Sequence, residues 1–278
     1  MKRPARVAAI HDMSGFGRCS LTVVLPVLSA MGAECCPLPT AFLSAQTAFP
    51  KSDRAVFLDM TDQLARTGRH WQELNAEFDA IYSGFLGSET QIGLIGEFIE
   101  TFRKGHTLVV VDPVMGDWGR PYRTYTPDLC RRMGELAEHA DVITPNLTEA
   151  AILLGEDYDP NPDGEKVRQW LERLSMGGKR SVVITGIRPV EGRVGAACFD
   201  RKTGEVSIPT ADQERGEFSG TGDLFASVML GALLKGEDLR TAVQLAADFV
   251  QRCAAFTNAL NGDKREGVMF EGLLKELM

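Results

Sequence analysis

Phe218-Ser219-Gly220-Thr221-Gly222-Asp223-Leu224-Phe225-Ala226 is a run of small residues ending in one acid, where a strongly apolar helix begins. Helix starts leave backbone N–H groups unpaired and carry partial positive charge. Glycines let those N–H groups crowd around an anion with no Cβ in the way. A carboxylate would repel phosphate if holding phosphate were the segment's only task. It fits if Asp223 takes a proton from a hydroxyl that attacks phosphorus, with Gly220, Thr221 and Gly222 presenting amides to the migrating group. This chemistry needs a strand-to-helix scaffold around it.

The rest of the chain supplies one. Short β-rich apolar runs alternate with longer helical patterns. Strands are predicted at residues 7–11, 34–38, 80–83, 108–112, 141–144, 181–185, 195–199 and 205–209. Helices are predicted at 20–31, 89–103, 127–139, 147–154, 163–175, 222–235, 239–255 and 267–277, the first kinked by Pro26. Several strands are continuous apolar runs, which suits strands covered on both faces. The βαβα order with one late antiparallel pair predicts an α/β fold. Its central sheet is doubly wound, mostly parallel and flanked by helices in a single domain. The longest irregular stretch, 116–126, has the length of a lid, with the flap itself at about 117–126.

Composition narrows the partners. The chain has 278 residues and a formal net charge of -8, which argues against nucleic acid or an anionic membrane. No apolar run is long enough to cross a bilayer, and the basic N-terminus lacks the apolar core and cleavage site of a signal peptide. The six cysteines form no CxxC pair and match no zinc spacing, so they read as reduced thiols of a cytoplasmic protein.

In such sheets ligands sit at the carboxyl ends of strands, and polar residues collect there repeatedly. Asp112-Pro113-Val114-Met115-Gly116-Asp117 puts two carboxylates around a turn, which suits Mg²⁺ near phosphate as well as an ordinary strand-end turn. Thr144-Pro145-Asn146-Leu147-Thr148-Glu149 ends a strand and opens a helix. Its Asn146/Glu149 spacing is that of a capping box, and equally places Asn146 near phosphate and Glu149 near the water shell of a metal. Thr185 ends the next strand. Gly15-Phe16-Gly17-Arg18-Cys19-Ser20 is an incomplete dinucleotide fingerprint; as a loop it lets Asp12 and Ser14 reach a small substrate. Residues 40–50 could wall a flat ring, with Phe42 and Phe49 for stacking and Gln46 and Thr47 for hydrogen bonds. Of the four histidines only His11 lies at such a strand end.

DPVMGD at 112–117, TPN-x-x-E at 144–149, Ile184-Thr185-Gly186 and GTGD at 220–223 occur in that order. Together they resemble the vitamin kinase branch of the ribokinase-like superfamily, that of the pyridoxal kinases and the hydroxymethylpyrimidine/phosphomethylpyrimidine kinases. The resemblance spans about residues 6–255. It implies Asp223 as catalytic base and residues 220–222 as an anion hole. It also implies Asp112, Asp117 and Glu149 around Mg²⁺, and Asn146, Thr185 and Asp117 at ATP, with residues 208–218 near adenine. Homodimers are usual in the branch, and many members respond to K⁺. The expected reaction is ATP-dependent phosphorylation of a hydroxymethyl group on a small heteroaromatic ring. The acid at 223 favours a B6 vitamer over the pyrimidine of thiamine synthesis, whereas the loop His11-Asp12-Met13-Ser14-Gly15 is closer to the pyrimidine branch. Two other classes are a nicotinamide-dependent oxidoreductase built on residues 15–20, and a non-catalytic nucleotide- or vitamer-binding protein.

Overall fold

A computed structural model describes residues 3–50, 52–122 and 125–278. β1 (Arg6–Ser14) and α1 (Leu21–Ala30) lead into β2 (Glu34–Leu43), β3 (Phe57–Asp59) and α2 (Thr61–Glu73). β4 (Ala80–Ser83), α3 (Glu89–Phe102) and β5 (Leu108–Val111) follow. A hairpin, β6 (Gly116–Asp117) and β7 (Arg120–Pro121), precedes α4 (Pro127–Ala137), β8 (Val142–Ile143), α5 (Leu147–Leu154) and α6 (Gly164–Leu174). Then come β9 (Ser181–Ile187), β10 (Arg193–Phe199), β11 (Val206–Ser207), β12 (Thr210–Asp212), α7 (Thr221–Lys235) and α8 (Leu239–Ala259). Two 3-10 segments, Lys264–Glu266 and Glu271–Leu277, close the chain.

The main sheet runs β11-β10-β9-β8-β5-β4-β1-β2-β3, with β12 also on β10. The six strands from β2 to β9 in that order are parallel. The flanking strands β3, β10, β11 and β12 are antiparallel. The expected doubly wound α/β sheet is present, with a larger antiparallel margin than one pair.

Successive residues of each central strand enter different cores. Val7, Ala9, Tyr82, Val110 and Val183 pack with α1, α7 and α8. Ala8, Ile10, Ile81, Val109, Val111 and Ile184 pack with residues of α2 to α6. This two-sided burial explains the unbroken apolar runs. From β1 the chain moves first to β2 on one side and then to β4 on the other. That reversal opens a crevice at the carboxyl ends of β1 and β4, where ligands bind in open α/β sheets.

Pro26, expected to kink α1, lies inside the helix. Two local expectations differ. The predicted helix 267–277 is instead irregular chain and 3-10 turns, because Gly267 sits at φ 84, outside the helical region. The predicted strand at 205–209 shortens to β11, and β12 begins just beyond it.

Candidate active site

α7 begins beside the crevice. Gly220 caps it at φ 71, and no side chain bonds the first turn. A Cβ on Gly220 would lie 2.0 Å from the Arg18 carbonyl oxygen, so both backbone angle and space require glycine here. Gly222 is different: a Cβ there would meet nothing within 4 Å. Glycine in a helix costs about 1 kcal/mol against alanine, and no packing within the chain demands it at this position. The space beside it is open. Thr221 Oγ1 donates to the Phe218 carbonyl at 3.3 Å, which holds the turn.

Asp223 stands in this first turn with its side chain 15 % exposed. Ser20 N donates to Asp223 Oδ2 at 2.8 Å. Burial pushes the carboxyl up to about 7, the Ser20 amide opposes the shift, and the charge of Asp12 adds to it. Cys19, nearby, is pushed up to about 12 by burial and then by the charges of Asp223 and Asp12, so it stays a thiol. A thiol in that state is a poor nucleophile toward an aldehyde.

The second group of acids lies across the crevice. Asp112 follows β5 and is buried. Burial raises its pKa, repulsion from Asp223 raises it further, and Thr144 opposes the shift. Glu149 is 3 % exposed. Its Oε1 accepts from Met115 N at 3.1 Å and its Oε2 from Asn146 N at 2.8 Å. Asn146 Oδ1 accepts from Glu149 N at 2.9 Å, completing a capping box, and its Nδ2 donates to the Gly116 carbonyl at 2.9 Å. Asn146 and Glu149 therefore fix the turn that carries Asp112 and Asp117, whatever else they do. Glu149 is also held well above the ordinary carboxylate range by burial and by Asp112. Asn146 pairs with Thr185 as a parallel bridge, which brings the ends of β8 and β9 together.

The expected irregular flap is a hairpin in part. Trp118 (φ 53) and Gly119 (φ 75) form its two-residue loop, the positive angles that a type I′ turn demands. Gly119 N donates to Thr148 Oγ1 at 2.9 Å, and Asp117 Oδ1 accepts from Trp118 N at 2.8 Å. Arg188 lies over the exposed Trp118 ring at 5.7 Å. The Tyr122 phenol is driven up by burial and then by the charges of Glu149, Asp117, Asp112 and Asp223. Residues 123 and 124 of the expected flap lie outside the described residues.

Among the described residues no three His, Cys, Asp or Glu side chains form a metal cage. Mg²⁺ does not require one, since it binds through one or two carboxylates, waters and substrate phosphates. Mutually repelling, buried acids at Asp112 and Glu149 fit such an ion.

On the other side of α7, Asp12 is engaged within the chain. Its Oδ2 accepts from Ser14 Oγ at 3.0 Å and its Oδ1 from Ser20 Oγ at 2.5 Å. Gln46 Nε2 donates to the Arg265 carbonyl. A Cβ on Gly17 would strike Gln46 Cγ at 2.8 Å. The dinucleotide-like glycines are thus explained by close packing of the chain on itself, and no open pyrophosphate cradle remains there. Thr47 is exposed beside the Phe16–Phe49 ring pair, whose centroids are 5.4 Å apart. The sequence reading missed Ser20 as a donor to Asp223; His11, which it placed at a candidate strand end, lies beside Asp223.

Known proteins share this architecture. Residues 71–269 match the family model described as phosphomethylpyrimidine kinase. A Bacteroides thetaiotaomicron protein assigned to the phosphomethylpyrimidine kinases, crystallised with pyridoxal, is 40 % identical with a TM-score of 0.93, over 99 % of this chain and 96 % of its own. Pyridoxal kinase from Lactobacillus plantarum is 32 % identical with a TM-score of 0.90, over 98 % and 96 % of the two chains. The pyridoxine/pyridoxal/pyridoxamine kinase of Bordetella avium is 27 % identical over 90 % of this chain and 85 % of its own. With that match over most of its length and its acid at an open helix start, the chain belongs to the phosphomethylpyrimidine kinase family, phosphotransferases that act on an alcohol.

Proposed function

We propose that this kinase transfers the γ-phosphoryl group of ATP to the 5′-hydroxymethyl group of a B6 vitamer: pyridoxal, pyridoxine or pyridoxamine. The observation that carries the reading is Asp223, a carboxylate held by Ser20 N at the uncapped, glycine-framed start of α7. Pyridoxal in the 40 % identical relative supports a pyridine ring as acceptor.

Asp223 accepts the hydroxyl proton, and the oxygen attacks the γ-phosphorus in line. The amides of the Gly220-Thr221-Gly222 turn stabilise the charge that develops on the transferring group. Asp112, Asp117 and Glu149 would hold Mg²⁺ through its water shell, where the ion supplies neutralisation of phosphate charge. Asn146 and Thr185 border the ATP phosphates. The β6–β7 hairpin lies over the acids and excludes water, which suppresses idle hydrolysis. Asp12, Ser14, Gln46 and Thr47 shape the vitamer side, and K⁺ assists the anion hole. A homodimer is part of the reading: Phe57 and Leu58 of edge strand β3 are 57 % and 55 % exposed, apolar surface that a second copy would cover.

A coupled ADP-release assay across pyridoxal, pyridoxine, pyridoxamine and hydroxymethylpyrimidine tests the substrate. At least one B6 vitamer is expected to exceed the pyrimidine in kcat/KM by about tenfold or more, the discrimination that pocket contacts supply. The family model's own description makes the pyrimidine the second reading, and the opposite ranking would establish it. Asp112→Ala should raise the Mg²⁺ concentration needed for half-maximal rate; an unchanged titration would remove Asp112 from the metal site.

A further inference from the structure

His11 is wholly buried within β1, one residue past the last pairing of β1 with β4, in the crevice where the strand order reverses. By the two-residue period of a strand it shares the face of Val7 and Ala9, the face that α7 covers. Tyr82 of β4 lies on that face too, and its ring meets the imidazole edge to face with centroids 4.3 Å apart. On the remaining side is Gly84, where a Cβ would fall 2.3 Å from His11 Nδ1. The imidazole therefore occupies the space of the absent side chain. Among the described residues neither ring nitrogen has a hydrogen-bond partner, although one of them carries a proton in any tautomer. Burial drives the imidazole down to about 3, so the ring is neutral. Its Nδ1 lies 3.9 Å from Asp223 Oδ1, the oxygen that the Ser20 amide leaves free.

We infer that His11 is a positioning residue: its Nδ1–H aligns Oδ1 of Asp223 toward the acceptor alcohol, and Gly84 exists to seat the ring. With no exposed surface, His11 cannot touch substrate itself and acts only through Asp223. A gap of 3.9 Å is longer than a hydrogen bond, but such contacts commonly lengthen without substrate and tighten in the loaded complex. A buried donor without an acceptor is costly, which favours that closure. Ser20 N and His11 Nδ1 would then hold one carboxylate oxygen each. The inference rests on the reading of Asp223 as base.

The test is steady-state phosphorylation of pyridoxal by His11→Leu, His11→Asn, His11→Gln, Gly84→Ala and Asp223→Asn, each checked for folding by thermal unfolding. His11→Leu should lower kcat about tenfold to a hundredfold, the range for a misplaced reacting group, and leave KM for ATP within about twofold. The Asn amide can stand where Nδ1 stands, so His11→Asn should recover most of the rate. The Gln amide reaches the Nε2 position instead, and His11→Gln should stay slow. Gly84→Ala should reproduce the loss without altering the histidine. Leu turning over within threefold of the parent, or Asn and Gln equally slow, would reduce His11 to a space-filling residue. If the Leu variant does not fold, the Asn–Gln pair decides alone. Asp223→Asn with near-parental turnover would remove the base and this inference together. Asp223→Asn inactive beside a fully active His11→Leu would remove this inference only.

Discussion

α5 and α7 both start at the carboxyl edge of the sheet, and both carry an acid in the first turn. They use it in opposite ways. At α5 the acid folds back: Glu149 takes two backbone N–H groups and completes the Asn146 box. At α7 the cap is a left-handed glycine, no side chain returns to the first turn, and Asp223 points toward β1 and the Ser20 amide. The closed start stabilises the chain. The open start leaves its backbone donors without a side-chain cap, and under the proposed function these donors and Asp223 serve the reaction. Position on the sheet does not separate the two acids; the destination of their oxygens does.

The largest expected contrast lies in the acids themselves. Asp223→Asn keeps the shape and the Ser20 contact, so the fold should persist while kcat falls on the order of a hundredfold or more. A near-parental rate would end the comparison, because the open helix start would then hold no base. In the parent, kcat/KM should fall as pH drops below about 7, since protonation removes the base. Glu149→Ala should act first on stability. The buried N–H of Met115 and the part-buried N–H of Asn146 lose their acceptor, at a cost of about 2–4 kcal/mol in a urea titration. A loss below about 0.5 kcal/mol would show that Glu149 is not the closing element of α5.

Gly222→Ala sharpens the contrast from the other direction. The added methyl meets nothing in the chain and improves helix propensity, so unfolding should require about 0.5–1 kcal/mol more. The same methyl intrudes on the space left for phosphate, and turnover should drop about tenfold, a loss of one developing-charge contact in part. Stability and activity both rising would mean that the glycine serves neither purpose.

Much of this was legible in the residues. The apolar runs of β1, β4, β5 and β9 and the polar residues at their ends depend on local pattern, and local pattern is what a sequence displays. β3 and α2 were not legible. Every residue of β3 is exposed, and α2 is mostly polar with Leu64 its one buried side chain, so neither displays the apolar run of a core element. The 3-10 tail was misread for another reason: Arg18 N donates to the Glu266 carbonyl at 2.7 Å, and a Cβ on Gly267 would fall 2.5 Å from the Arg18 carbonyl oxygen, a long-range packing that the local pattern does not display. His11 shows the limit most clearly. In the sequence it is one polar residue after an apolar run, the same as any buried histidine. Only the strand order and the glycine at 84 reveal that it faces Asp223.

The smallest expected effect tests the open helix start without measuring activity. An aspartate in an unfolded chain titrates near 3.9, and Asp223 in the folded chain titrates at about 7. Between those values the folded state keeps a proton that the unfolded state has lost. Native stability therefore gains as pH falls through the folded value, and above about 7 the folded chain carries the full penalty of a buried charge. Asparagine removes that penalty and keeps the acceptor for Ser20 N. Asp223→Asn should thus be more stable than the parent at pH 8, by about 1 kcal/mol or roughly 2–4 °C, and the difference should vanish toward pH 4. Glu149 cannot be exchanged with that result, because its carboxyl accepts from two amides that alanine leaves bare. If Asp223→Asn is less stable than the parent at pH 8, the acid at α7 is a cap after all, and the two helix starts are alike.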